Sequence, residues 1–362
     1  MHPVLFQLVV PAGFALPAAA LLAVAIVVGR AVAWVRRARA EGEAVSFVAA
    51  LRADLPFAVG LAVALVLLRS AGLLDGELRL PVHAYGTLIA SAFVAGIWLA
   101  QREARRRGQD PERIADLAGW ILVAALVGSR VYFILVNWSE YFGPGRMLVE
   151  TPLGRIPKIL AVWEGGLVFY GGFIGAALTA AWYMRRHRMG FLAHADTVIP
   201  SVAFGHFLGR LGCFSAGCCW GAVVDSHLPW AVRFPPVSLA YQTFAGRENP
   251  GAFLDLARGT TVPLHPTQLY ESLGELALFL VLVLVVRPRK RFDGQVLAAW
   301  LLLYAALRTV VELFRGDVER GVYAGLGAGQ WTSFFIFAAG VVVWVRARQV
   351  RPALDAESGP AR

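Results

Sequence analysis

Nine apolar runs dominate the chain, at about 5–29, 55–74, 83–100, 115–136, 166–184, 195–214, 267–286, 294–314 and 331–347, each separated from the next by polar residues or Gly/Pro breaks. A helix rises about 1.5 Å per residue, so roughly 20 apolar residues cross a hydrocarbon core about 30 Å thick. Inside lipid a backbone must satisfy its own hydrogen bonds, which makes the helix the spanning element for runs of this length. A mean hydropathy of +0.60 excludes an ordinary soluble domain. The expected fold class is therefore all-α, a polytopic integral membrane helical bundle of about nine transmembrane helices.

Charged residues are 16% of the chain, against about 25% in globular proteins, yet the net charge is +10. An excess of this sign elsewhere suggests nucleic acid. Here it falls in clusters after the odd-numbered runs: Arg36, Arg37 and Arg39; Arg102, Arg105, Arg106 and Arg107; Arg185, Arg186 and Arg188; Arg287, Arg289, Lys290 and Arg291; Arg346, Arg348 and Arg351. The positive-inside rule puts those loops in the cytoplasm, with the N-terminus outside, the C-terminus inside, and 137–165, 215–266 and 315–330 on the outer face. No nucleic-acid partner is expected. The opening MHPVLFQLVV lacks the basic n-region of a signal peptide and is read as part of a retained first helix. The closing RARQVRPALDAESGPAR reads as a disordered cytoplasmic tail.

Ionisable residues inside spans cost at least about 2.5 to 3.5 kcal/mol each at mid-bilayer, so they pair or line a polar cavity. The runs contain Arg130, His206, Arg210, Glu271, Glu275, Arg308 and Glu312, with Arg315 just beyond. Counting the helical rise from the cytoplasmic loops places Arg130, Arg210 and Arg308 in the outer half of the membrane. Tyr85, Tyr170 and His265 belong to the same face. Arg308, Glu312 and Arg315, at i, i+4 and i+7, share one side of a helix, so Glu312 is placed to hold either arginine. Such a set either fixes helix packing or binds an anion. Several arginines at one depth, with few carboxylates near, favour the anion, because guanidinium meets phosphate through paired donors. At that depth the simplest anion is a phospholipid headgroup.

The motifs HPTQLYE (265–271), GRLG (209–212), WEGGLVFYGG (163–172) and RTVVELFR (308–315), in this chain's order, resemble those of the prolipoprotein diacylglyceryl transferases over about residues 80–350. The resemblance implies a seven-helix membrane core at 79–350, preceded by a two-helix extension at 1–78 and followed by a tail at 351–362. It implies transfer of the diacylglyceryl group of phosphatidylglycerol to the lipobox cysteine in the signal peptide of a preprolipoprotein, at the outer face of the bacterial cytoplasmic (inner) membrane, with membrane lipids around it. No metal or organic cofactor is implied. By position, Arg210 and Arg308 grip the phosphate, Tyr85 stands near the headgroup, Gly221 closes the second motif, and Glu312 orients Arg308. Arg130, Gln268 and Glu271 complete the expected substrate-binding set, and Tyr170 and His265 are the candidates for handling the acceptor thiol's proton.

Three positions depart from the pattern. Tyr170 stands where the glycine-rich loop usually carries histidine, Cys213 where the second motif carries asparagine, and Cys218 where it carries glutamate. With Cys219, all three cysteines of the chain fall within seven positions. A disulfide from Cys213 to Cys218 or Cys219 suits an oxidising face. A zinc site has no second Cys or His pair at finger-like spacing, leaving His206 and His265 as the histidines to approach in three dimensions. Two other readings stay open: a catalytically altered relative that binds lipid or lipoprotein precursor, and a thiol-redox membrane enzyme. A transporter would need an inverted repeat, and none is visible.

Overall fold

In a computed structural model, which describes residues 4–10, 15–40, 46–55, 58–60, 62–63, 78–142, 148–151, 154–157, 159, 166, 168–224, 227–315, 322–323 and 326–357, the apolar runs fold largely as helices. In chain order these are α1 (Ala15–Ala40), α2 (Phe47–Ala53), α3 (Ala84–Arg106), α4 (Pro111–Val136), α5 (Trp138–Phe142), α6 (Phe169–Arg186), α7 (Phe191–Ala216), α8 (Leu239–Ala245), α9 (Thr267–Val281), α10 (Gln295–Glu312) and α11 (Ala328–Glu357). Helix α9 runs on through π and 3-10 turns to Arg289. Among the described residues five stretches are long and apolar enough to cross a membrane: Ala84–Arg106, Pro111–Val136, Thr267–Arg289, Gln295–Glu312 and Gly329–Gln349. The protein is thus a polytopic membrane helical protein.

Two expectations are corrected. The first run does not start as helix: Val4–Val10 is a strand, and α1 begins only at Ala15, after Pro11 and Gly13 interrupt the pattern. The tail is not irregular from 346 onward, since α11 continues to Glu357 through a segment in which Ala and Arg, both strong helix formers, recur. The run at 55–74 lies mostly outside the described residues, as do Trp163, Glu164 and Gly165 of the glycine-rich stretch.

The chain divides into two units. The first comprises Met1–Leu5, His83–Gly128 and Phe173–Arg362. Ala100, Ala104, Ile114, Leu117, Tyr183, Met184 and Met189 form an apolar cluster joining α3, α4 and α6. Ala203, Leu282 and Val296 join α7 to α9 and α10. Leu178 and Leu284 are about two-thirds exposed, as outward-facing residues of a lipid-embedded bundle are. Between α7 and α9 the chain leaves the helical bundle. Phe234, Phe244, Leu254 and Leu264 there form a separate small core, closed by a two-stranded ladder of Leu254–Asp255 with Thr260–Thr261.

A polar knot fixes the basic end of this unit. Asp196, fully buried on α7, accepts from the backbone N–H groups of Gly294 (2.8 Å) and Leu297 (2.9 Å), capping the start of α10, and pairs with Lys290 at 2.8 Å. Glu103 on α3 pairs with Arg107 and Arg287.

The second unit comprises Phe6–Val82 and Ser129–Gly172. Arg30 of α1 pairs with Asp54 just past α2 at 2.9 Å, and the strand Leu148–Thr151 pairs antiparallel with Gly154–Pro157.

Candidate active site

Helices α7, α9 and α10 each place polar groups at helical spacing on one face: His206 and Arg210 on α7, Glu271 and Glu275 on α9, Tyr304, Arg308 and Glu312 on α10. The three faces meet. Arg210 Nη2 donates to Glu271 Oε1 at 2.7 Å, while Arg308 Nη1 lies 3.5 Å from Glu271 Oε2, so one carboxylate serves two guanidiniums. Arg308 Nη2 also pairs with Glu312 Oε2 at 2.7 Å along its own helix. Glu271 is 1% exposed, Glu275 0% and Arg308 7%, which makes unpaired charge here prohibitive and the pairing obligatory.

His206 extends the chain. Its Nε2 accepts from Arg210 Nε at 3.2 Å and its Nδ1 lies 2.7 Å from Glu275 Oε1. Since Arg210 can only donate, Nε2 is the acceptor and Nδ1 carries the proton to Glu275. His206 is therefore a bridge with both nitrogens committed, and its 3.6 Å approach to Glu271 is proximity without a hydrogen bond. The two guanidiniums face two carboxylates, Glu271 and Glu312, while Glu275 is held by His206. What remains for a ligand is the unused donor capacity of forks that carboxylates orient.

Around this network the backbone is tied closely. Gly221 donates to His265 O (2.9 Å), His265 N to Ala222 O (3.0 Å), and Ala222 N to Phe314 O (2.9 Å). A Cβ at Gly221 would meet His265 Cβ and Phe314 O at 2.6 Å, so only glycine fits where these three segments cross. His265 Nδ1 sits 3.1 Å from Tyr270 Oη, which also accepts from Trp230 Nε1 at 2.8 Å. Gln268, buried on α9, donates through Nε2 to Cys218 O at 2.7 Å. Tyr85, near the start of α3, lies against Gly212. On α11, Gly329 leaves room for the Glu312 carboxylate, with which a Cβ there would collide.

The cysteines follow Arg210 at the end of α7, where Gly217 (φ +69°) turns the chain. All three are free thiols, and their sulfurs lie within 4.8 Å of one another. Hydrogen bonds with Cys213 and Cys218 hold the Cys219 thiol below its ordinary pKa, with Arg210 and Arg315 acting in the same sense, while contacts with Cys213 and Cys219 together with burial push the Cys218 thiol up. Neither His206 nor His265 is in this group of ligand atoms.

Thus the structure brings together Arg210, Arg308, Glu271 and Glu312 directly, with Gln268 in the first turn of α9, His265 just before it and Gly221 in the loop they bind. Arg130 and Tyr170 belong to the second unit. There Arg130, 6% exposed, donates to Ile159 O at 3.0 Å and Gly166 O at 3.4 Å and lies over the Tyr141 ring at 5.4 Å, while Tyr170 is 59% exposed. Tyr304 was not among the sequence candidates. Its ring lies 5.7 Å from that of His206 and stacks on Trp300 at 5.2 Å. The signal for it was its place four residues before Arg308 on the face that also carries Glu312.

Comparison with known proteins supplies the lineage. The family described as prolipoprotein diacylglyceryl transferase matches residues 73–346. A phosphatidylglycerol–prolipoprotein diacylglyceryl transferase of Thermosynechococcus vestitus is 34% identical over 234 residues, 64% of this chain and 77% of that enzyme. The enzyme of the same name from Serratia proteamaculans is 34% identical over 276 residues, 75% of this chain and 91% of its own length. That from Synechococcus elongatus is 32% identical over 292 residues, covering 77% and 91%. A match running from before α3 into α11, through every motif of the buried network, places the chain in the prolipoprotein diacylglyceryl transferase family.

Proposed function

We propose that this protein transfers the diacylglyceryl group of phosphatidylglycerol to the lipobox cysteine thiol of preprolipoproteins at the outer face of the bacterial inner membrane. The observation that carries the reading is the buried Arg210–Glu271–Arg308–Glu312 network, in a membrane helical protein of this family. As the acceptor sulfur attacks the glycerol carbon, the C–O bond to phosphate breaks and charge grows on the departing glycerol phosphate. Guanidiniums already aimed by Glu271 and Glu312 stabilise that charge without reorganising, which is where oriented donors contribute most to a rate. An apolar groove of about 350 Å³ runs beside α7, lined by Ile89, Phe93, Ile97, Leu117, Ile121 and Val202, and suits the acyl chains of the lipid.

The nine-helix count, with the N-terminus out and the C-terminus in, belongs to the same reading. It is supported by the basic clusters at one end of the spans and by Arg210 lying roughly 21 Å along α7 from Asp196, at 1.5 Å per residue. The partition at 1–78, 79–350 and 351–362 is likewise proposed, with Arg130 and Tyr170 as further substrate contacts. A test is rescue of a bacterium depleted of its own transferase. The wild-type chain is expected to restore lipidated lipoprotein and growth, and Arg308→Ala, present in the membrane at equal level, is expected not to. Membrane-inserted wild-type protein that leaves precursors unmodified would overturn the reading.

A further inference from the structure

The phosphate network leaves three thiols unexplained. The sulfurs of Cys213, Cys218 and Cys219 are partly buried and lie within 4.8 Å of one another. Their convergence is imposed by the backbone. Cys218 N donates to Cys213 O at 3.1 Å in the turn that ends α7, and Cys218 Sγ approaches the same carbonyl at 3.6 Å. Cys219 has φ +59°, a left-handed conformation that residues with a Cβ adopt sparingly. Consecutive side chains on an extended chain point apart, whereas this turn brings Cys218 and Cys219 together. The loop is also pinned from α9, by Gln268 Nε2 on Cys218 O (2.7 Å) and Thr267 Oγ1 on Cys219 O (2.9 Å).

Thiolates bind zinc at about 2.3 Å, which in a tetrahedron separates sulfurs by roughly 3.8 Å, a distance these side chains reach by small rotations. Three protein ligands leave a fourth position open, the pattern of catalytic zinc rather than of structural zinc. Arg210 lies one helical turn before Cys213 on α7, so positive charge stands beside the thiolates that would bind the dication.

We propose that Cys213, Cys218 and Cys219 hold a zinc ion whose fourth position takes the acceptor peptide's thiol. The second half of this proposal rests on the transferase reading. Coordination displaces the acceptor thiol's proton to solvent, because a metal-bound thiol is deprotonated. The bound sulfur attacks the glycerol carbon, the S–C bond forms as the C–O bond to phosphate breaks, and the electron pair leaves on the phosphate oxygen. Nothing is oxidised or reduced. The step needs no protein base, in a site where both nitrogens of His206 are already engaged.

The test uses the full-length detergent-solubilised protein, with Zn(II) and Co(II) as probes and a lipobox-type peptide containing one cysteine. One Zn(II) per chain is expected after dialysis, with stoichiometric binding lost in Cys213→Ser and in Cys218→Ser. The Co(II) form is expected to show sulfur-to-cobalt charge transfer that intensifies with the cysteine peptide and not with its serine analogue. Chelation is expected to slow transfer by about 10²-fold, a typical share for proton management, with recovery on adding Zn(II). Absent stoichiometric metal, or a disulfide among the three cysteines of freshly purified protein, would overturn the site whatever the variants do. Metal bound without a response to the peptide, or a chelated enzyme at full rate, would overturn the thiol-activating role. A zinc-bound protein that takes up the peptide thiol and transfers nothing would uphold the site and contradict the transferase reading instead.

Discussion

Glu271 accepts from Arg210 through one oxygen and faces Arg308 through the other, so a single carboxylate on α9 sets the separation of guanidiniums on α7 and α10. Replacing Glu271 with alanine leaves two buried cations short of a partner, at a cost of about 3–5 kcal/mol. Such a variant is expected to be poorly folded, visible as a lowered thermal midpoint in detergent. Arg308→Lys keeps the charge and loses the fork. It is expected to leave the midpoint near wild type and lower the transfer rate by about 10²–10³-fold, the range for losing one preorganised donor at developing charge. Gly329→Ala puts a Cβ into the Glu312 carboxylate and so disturbs Arg308 from behind. A fall in rate with little change in helix content is expected, and a second change, Glu312→Asp, which shortens that side chain, is expected to restore part of it. Unchanged kinetics in Gly329→Ala would show that Glu312 does not position Arg308.

At the scale of elements, α7 is fastened at both ends for different reasons. Its basic end carries Asp196, which caps α10 and neutralises Lys290. Asp196→Ala is expected to lower the thermal midpoint by several degrees while sparing the rate per folded molecule, because the network lies some 21 Å further along the helix. A selective loss of rate at unchanged midpoint would show that the two ends are coupled. How much of this was legible beforehand follows from period and spacing. The five membrane-crossing stretches, on α3, α4, α9, α10 and α11, were visible as apolar runs, and Arg308 with Glu312 as an i, i+4 pair. The His206–Glu275 contact and Tyr304 were not, because each takes its meaning from a partner on another helix. The first run misled because hydropathy alone does not separate the strand Val4–Val10 from the helix that follows Pro11 and Gly13. Glu271 and Glu275 were visible as ionisable residues inside a span, but their pairing with Arg210 and His206 was not, the partners being remote in sequence and adjacent in space.

At the scale of the molecule, the basic clusters and the buried network of the first unit occupy opposite ends of its helices, the separation that the proposed orientation, arginines in the cytoplasm and the network at the outer leaflet, requires. Cysteine introduced as Arg106→Cys is expected to resist a membrane-impermeant thiol reagent in intact cells, and one introduced as Arg258→Cys to react. The reverse pattern would invert the topology. The most direct measurement is a transfer reaction with purified protein, phosphatidylglycerol in mixed micelles and a lipobox peptide, followed by mass spectrometry of the peptide and assay of released glycerol phosphate. The expected result is a peptide heavier by one diacylglyceryl group on its cysteine and one glycerol phosphate per modified peptide, both absent with Arg210→Ala or a serine peptide. A folded, lipid-bound protein that yields neither product would contradict the account.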